Sequence, residues 1–152
     1  MRLAIVGSRR FKNYELLKAI LDPYRDEITL IVSGGAIGAD TLAQKYAKER
    51  GIPILIHYPD YKKYGKGAPT RRNLDIVTDA ESMIAFPMEG SVGTWHAIKA
   101  MKKLEKSIQV IDIESEDYDR GFKIGYDGGY KNGYTSALDE AERIYQAEKG
   151  AE

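Results

Sequence analysis

Three short stretches carry residues suited to holding an anion: "GSRRF" (7–11), "SGGAIGAD" (33–40) and "EGSVGT" (89–94). Each joins an apolar run to an amphipathic pattern. Glycine there removes the Cβ that would keep a ligand away from backbone N–H groups. A helix that follows such a turn presents unpaired N–H donors and a partial positive charge of about half an elementary unit. A phosphate group satisfies both. Tight strand-to-helix turns favour glycine on their own, so one such stretch is weak evidence. Three, accompanied by Ser8, Arg9, Ser33, Asp40, Ser91 and Thr94, point to one shared site. None reads GxxxxGK[ST] or GxGxxG, which disfavours P-loop ATP hydrolysis and the standard dinucleotide fingerprint.

Other residues offer more specific chemistry. Arg9 can clamp a phosphate through its planar fork, or form a surface ion pair. Asp40 falls in a helix first turn, where the dipole favours a carboxylate; it can also bond a ribose or base. The segment "YKKYGKGAPTRR" (61–72) holds five cations. It reads as a basic wall for phosphate or as a solvated loop. Tyr61 and Tyr64 can stack on a base or close over the core, and Arg71, Arg72 and Asn73 open a helix beside them. His96, just after Gly93-Thr94-Trp95, is an acid–base candidate or a packed helical residue.

The elements around these stretches alternate. "RLAIVG" (2–7), "ITLIVSGG" (28–35), "IPILIHY" (52–58), "SMIAFP" (82–87) and "SIQVIDI" (107–113) are short apolar runs of the kind buried on both faces of a sheet. Between them lie amphipathic segments. Asn13 caps the first, whose stripe is Leu16, Leu17, Ile20 and Leu21; the second, 39–50, stops at Gly51. Residues 59–70, with two glycines and two prolines, read as a polar loop before a short helix. The pattern predicts an α/β fold: a Rossmann-like three-layer sandwich with a mainly parallel sheet of about five strands. In such sheets the turns after the strands gather on one edge, where ligands bind.

The tail differs. "GFKIGYDGGYKNGYTS" (121–136) repeats Gly-aromatic-x-x four times, predicting either a close-packing helix with a glycine stripe or a tyrosine-rich loop. "SALDEAERIYQAEKG" (136–150) reads as helix. The division is therefore a domain over 1–113 and a Gly/Tyr-rich linker with a C-terminal helical extension over 114–152, packed on the domain or on a partner subunit.

Composition bounds the rest. With 43% hydrophobic and 30% charged residues the chain is an ordinary soluble domain. No apolar run nears the roughly 20 residues that cross a bilayer, and the N-terminus lacks a signal-peptide layout, so a cytoplasmic location without membrane contact is expected. Cysteine is absent and the two histidines, His57 and His96, lie far apart, so no metal site or cofactor is expected. Net charge is zero, with 14 Lys/Arg against 8 Asp/Glu in residues 1–76 and 9 against 15 in residues 77–152. That balance argues against nucleic acid as a partner.

Taken in order, "GSRRF", "SGGAIGADTLA", "YKKYGKGAPTRRN" and "GSVGT" resemble the SLOG superfamily, which unites the Smf/DprA proteins with the LOG phosphoribohydrolases. The match is best to its small YspA/YpsA-like branch of bacteria and their phages. The resemblance spans about residues 1–113. It implies a nucleotide or nucleotide-derived ligand lined by Gly7, Ser8, Arg9, Ser33, Gly34, Gly35, Ala36, Gly38, Asp40, Gly90, Ser91, Gly93 and Thr94. Arg71 flanks the branch's Arg-Asn pair, Arg72 and Asn73. LOG enzymes cleave the N-glycosidic bond of nucleoside monophosphates with an arginine and a glutamate after the Gly-Thr, where this chain has His96 and Ala97. LOG relatives also imply a homodimer or higher homo-oligomer.

Binding of a nucleotide or nucleotide-derived small molecule, such as a cyclic or ADP-ribose-like one, is thus the leading expectation. An N-glycoside hydrolase or transferase acting on nucleoside 5′-phosphates is the alternative, with Arg72, His96 and Asp40 as its catalytic candidates. A DprA-like, DNA-associated protein is the further alternative.

Overall fold

The computed structural model describes residues 1–111. The Gly/Tyr repeat and the helix expected over 136–150 lie outside the described residues. Five strands, β1 (Arg2–Gly7), β2 (Leu30–Ser33), β3 (Ile54–Ile56), β4 (Ser82–Phe86) and β5 (Ser107–Val110), form one sheet. Every neighbouring pair is parallel, in the order β3-β2-β1-β4-β5. Helices α1 (Tyr14–Leu21), α2 (Ala39–Arg50), α3 (Tyr61–Tyr64), α4 (Ala68–Asp79) and α5 (Val92–Lys103) connect them.

Alternation within the strands builds the two cores. Leu3 and Ile5 of β1 and Ile84 and Phe86 of β4 face the layer that contains Leu16, Leu17, Ala43 and Tyr46. Ala4, Val6, Met83 and Ala85 face the opposite layer, with Ile76, Val77, Ile98 and Met101. A strand apolar on both faces is what a covered parallel sheet requires. The three-layer α/β fold expected from the sequence is present.

The local signals work as chemistry dictates. Asn13 Oδ1 accepts the Leu16 N–H at 3.0 Å, and the stripe Leu16, Leu17, Ile20 and Leu21 is buried. Gly51 ends α2 in the left-handed conformation, φ 67°. Tyr46 is fully buried with its hydroxyl donating to Asp22 at 2.8 Å. The Lys106 ammonium donates to the carbonyls of Val77, Thr78 and Ala80, closing the end of α4.

The polar loop expected over 59–70 is instead largely helical. Asp60 caps α3 by accepting the Lys63 N–H at 3.1 Å, a 3-10 turn covers Gly65–Gly67, and α4 starts at Ala68. Pro69 falls in the first turn of α4, where its missing N–H loses no intrahelical bond, so it starts a helix instead of excluding one. β5 is also shorter than expected within the described residues, ending at Val110.

Candidate functional site

The strand order reverses between β1 and β4: β2 and β3 extend to one side and β5 to the other. The crevice at the C-terminal ends of strands at such a switch point is where open α/β sheets bind ligands. Here β1 and β4 run in register to Gly7 and Phe86, and the Ser8 N–H donates to the Phe86 carbonyl at 3.0 Å. The turns after β1 and β4 are therefore held side by side. Arg10 locks them, donating its guanidinium to the Glu89 carbonyl and its N–H to Ser8 Oγ at 3.0 Å.

A cavity of about 510 Å³ opens at this point. Of the residues proposed from sequence, Gly7, Ser8, Arg9, Ala36, Asp40, Arg72, Asn73, Gly90, Ser91, Gly93 and Thr94 line it. Ser33, Gly34, Gly35, Gly38, Arg71 and His96 do not. Arg71 reaches instead towards Asp75 at 3.8 Å and over the Tyr64 ring. His96 is half-buried on α5, and its Nδ1 has no partner. Arg10 and Pro69, which were not among the candidates, also line the cavity, as does Glu89 at the head of the third glycine stretch. Arg10 was legible beside Arg9; nothing local marked Pro69.

The glycines divide into two uses. Gly38 has φ +83°, and a Cβ on it would lie 2.3 Å from the Ser8 carbonyl oxygen. The next residue, Ala39, donates its N–H to that same oxygen at 3.2 Å. A Cβ on Gly34 would lie 2.6 Å from Arg72 Nη1. These two exist so that protein can pack on protein. Gly90, with φ +80°, has nothing within 4 Å of a Cβ, and Gly93 only Asn73 Nδ2 at 3.9 Å. Those two leave backbone bare on the cavity side.

Arg72 and Asn73 act as one unit. Arg72 donates to the Gly34 carbonyl through Nη1 and to Asn73 Oδ1 through Nε at 3.1 Å. Buried Asn73 in turn donates through Nδ2 to the Gly93 carbonyl at 3.2 Å. The β2–α2 turn, α4 and the start of α5 are thus joined by two side chains. Asn73 braces Arg72 with both ends of its amide.

Asp40 is 7% exposed, and its Oδ2 accepts the Ala36 N–H at 3.0 Å. Burial raises its pKa above the usual 3.8, opposed by the Ala36 N–H, by the Arg72 charge, and by Ser33 and Arg9. The Ser33 hydroxyl is buried and makes no hydrogen bond of full geometry, yet it stands near enough to favour the carboxylate. Burial lowers the pKa of Arg72, and Asp40 opposes that shift. Arg9 is exposed and, among the described residues, makes no hydrogen bond or ion pair. The cavity thus combines three arginines with two carboxylates, Asp40 and Glu89. Among the described residues no group of three or more histidines and carboxylates converges as a metal site, and no helix is long and apolar enough to cross a membrane.

Comparison with known proteins agrees with this architecture. The gene 61 protein of Mycobacterium phage D29 is 32% identical over 114 residues, which are 67% of this chain and 89% of that protein. DNA processing protein A of Helicobacter pylori, a single-stranded DNA binder, superposes with a TM-score of 0.60 at 20% identity, covering 92% of this chain and 81% of its own. That neighbour overturns the expectation, drawn from zero net charge, that nucleic acid is not a partner. The fold is compatible with such a partner, because a strand meets local charge and not the sum over the chain. The family described as "YspA, cpYpsA-related SLOG family" matches residues 1–64. With strand order, switch-point cavity and phage relative in agreement, the chain belongs to the YspA, cpYpsA-related SLOG family.

Proposed function

We propose that the switch-point cavity binds the phosphate of a nucleotide or nucleotide-derived small molecule. The observation that carries this reading is the meeting of Arg9 and Arg72 with the bare Gly90–Gly93 backbone at one cavity. Arginine supplies planar, permanently charged donors, and the start of α5 supplies oriented N–H groups. Asp40 stands where a ribose hydroxyl can donate to its free oxygen. Binding is favoured over hydrolysis because His96 does not line the cavity and the LOG-type glutamate is absent from α5. Thermal melts with nucleoside mono- and diphosphates, cyclic nucleotides and ADP-ribose test the reading. A ligand at a hundred times its dissociation constant adds about 2.7 kcal/mol, a shift of several degrees. No shift with any of these compounds refutes it.

A second reading is favoured by a specific surface. Lys62, Lys63 and Lys66 are all exposed on α3 and the turn after it, and the structural neighbour binds single-stranded DNA. Under this reading a single strand lays its phosphates along these lysines. Three neutralised phosphates give a log–log salt slope steeper by about 2. Lys62→Gln/Lys63→Gln/Lys66→Gln then flattens the slope by that amount. Retention on single-stranded DNA that ignores salt or the triple variant excludes it.

A further inference from the structure

The cavity brings three arginines together but has no aromatic ring in its lining. A nucleotide's phosphate and ribose find partners there; its planar base does not. The rings stand just outside. Tyr58 is 67% exposed and Tyr61 58%. Two consecutive glycines seat Arg72 and Tyr58 side by side along the β2–α2 turn. Arg72 lies over Gly34, and the Tyr58 ring lies over Gly35, where a Cβ would meet Tyr58 Cε1 at 2.5 Å. Tyr61, at the start of α3, stands near enough to Arg72 that its phenol, when ionised, raises the Arg72 pKa. Arg72 lines the cavity, and the glycine it rests on is followed directly by the one under the Tyr58 ring. Among the described residues neither ring is stacked or faced by a cation, whereas Tyr64 already has Lys63 and Arg71 at its ring.

We infer that Tyr58 and Tyr61 are the surface on which the base of the cavity's ligand stacks, so that the ligand is a nucleotide whose base reaches out past Arg72 to these rings. The inference rests on the phosphate reading of the cavity and narrows it: a bare sugar phosphate fills only half of the site. Every base offers a π-face, so this surface selects for the presence of a base more than for its identity.

Calorimetry with inorganic phosphate, ribose 5-phosphate, adenosine 5′-monophosphate and uridine 5′-monophosphate tests it. Native protein is expected to bind both nucleotides at least about fivefold more tightly than ribose 5-phosphate, the lower end of one stacked base. Tyr58→Leu/Tyr61→Leu keeps the native affinity for ribose 5-phosphate, which also reports that the cavity is intact, and loses the preference. Tyr58→Phe/Tyr61→Phe retains the preference, since the rings remain. Equal affinity for nucleotides and ribose 5-phosphate in the native chain, or a preference that survives the leucine variant, overturns the stacking inference and leaves the phosphate reading standing. If none of the four compounds binds the native chain, the cavity reading falls and the stacking inference with it.

Discussion

Arg72 rests on the backbone of Gly34, donating to its carbonyl, and a Cβ at residue 34 would sit 2.6 Å from the guanidinium Nη1. The pairing explains a glycine that does not line the cavity yet controls it. Gly34→Ala is expected to push the Arg72 side chain out of its seat. Phosphate-ligand affinity should fall by about tenfold or more, since a charge-assisted contact is worth about 1.5–3 kcal/mol. Titration of the variant against the native chain checks this; unchanged affinity means Arg72 does not reach the ligand.

Gly93→Ala should separate ligand use from folding use. The site is helical, φ is not positive, and the space around a Cβ is open. Alanine is a better helix former by up to about 0.8–1 kcal/mol, so the variant should melt slightly higher while binding more weakly. Gly38→Ala should do the opposite to stability, because its Cβ meets the Ser8 carbonyl in a left-handed backbone. Denaturant melts of both variants decide the matter.

Asn73→Ala removes a buried amide that satisfies both Arg72 Nε and the Gly93 carbonyl. Leaving those groups unpaired costs about 1–3 kcal/mol. The loss should exceed that of Arg71→Ala, whose partners are Asp75 and the Tyr64 ring at the surface. Urea midpoints of the two variants give the comparison.

Asp40 makes stability depend on pH in a defined direction. Burial raises its pKa in the native state above 3.8, so in that range the folded chain binds more protons than the unfolded one. Stability from this group is present below 3.8 and is lost as pH rises through the folded pKa. Asp40→Asn lacks the dependence, so it should gain on the native chain as pH rises above about 4 and hold that gain at neutrality. Asp22 runs the other way. Its hydrogen bond from Arg50 lowers its pKa, and its contribution disappears as pH falls below 3.8 through the folded value. Paired melts of the native chain and the Asp40→Asn variant across this range test the sign.

Much of the framework was written locally. Asn13 with its stripe, Gly51, and the three glycine turns with Ser8, Asp40 and Ser91 all act within a few residues of themselves, and short-range signals survive in a sequence. The same is true of Arg72 and Asn73 as a pair. Pro69 misleads because its effect changes sign with position in a helix, and that position depends on where Asp60 starts and Gly67 ends the preceding turns.

What only the tertiary structure decided is adjacency. No local pattern says that β4 lies against β1, yet that pairing, Gly7 beside Phe86, brings two glycine turns distant in sequence to one crevice. Nor does any pattern assign Gly34 and Gly38 to packing and Gly90 and Gly93 to open space, since the chain's glycines are identical until a neighbour arrives. Hydrophobic periodicity and capping are contests among residues a turn apart; strand order is settled by which apolar faces the whole chain can bury at once.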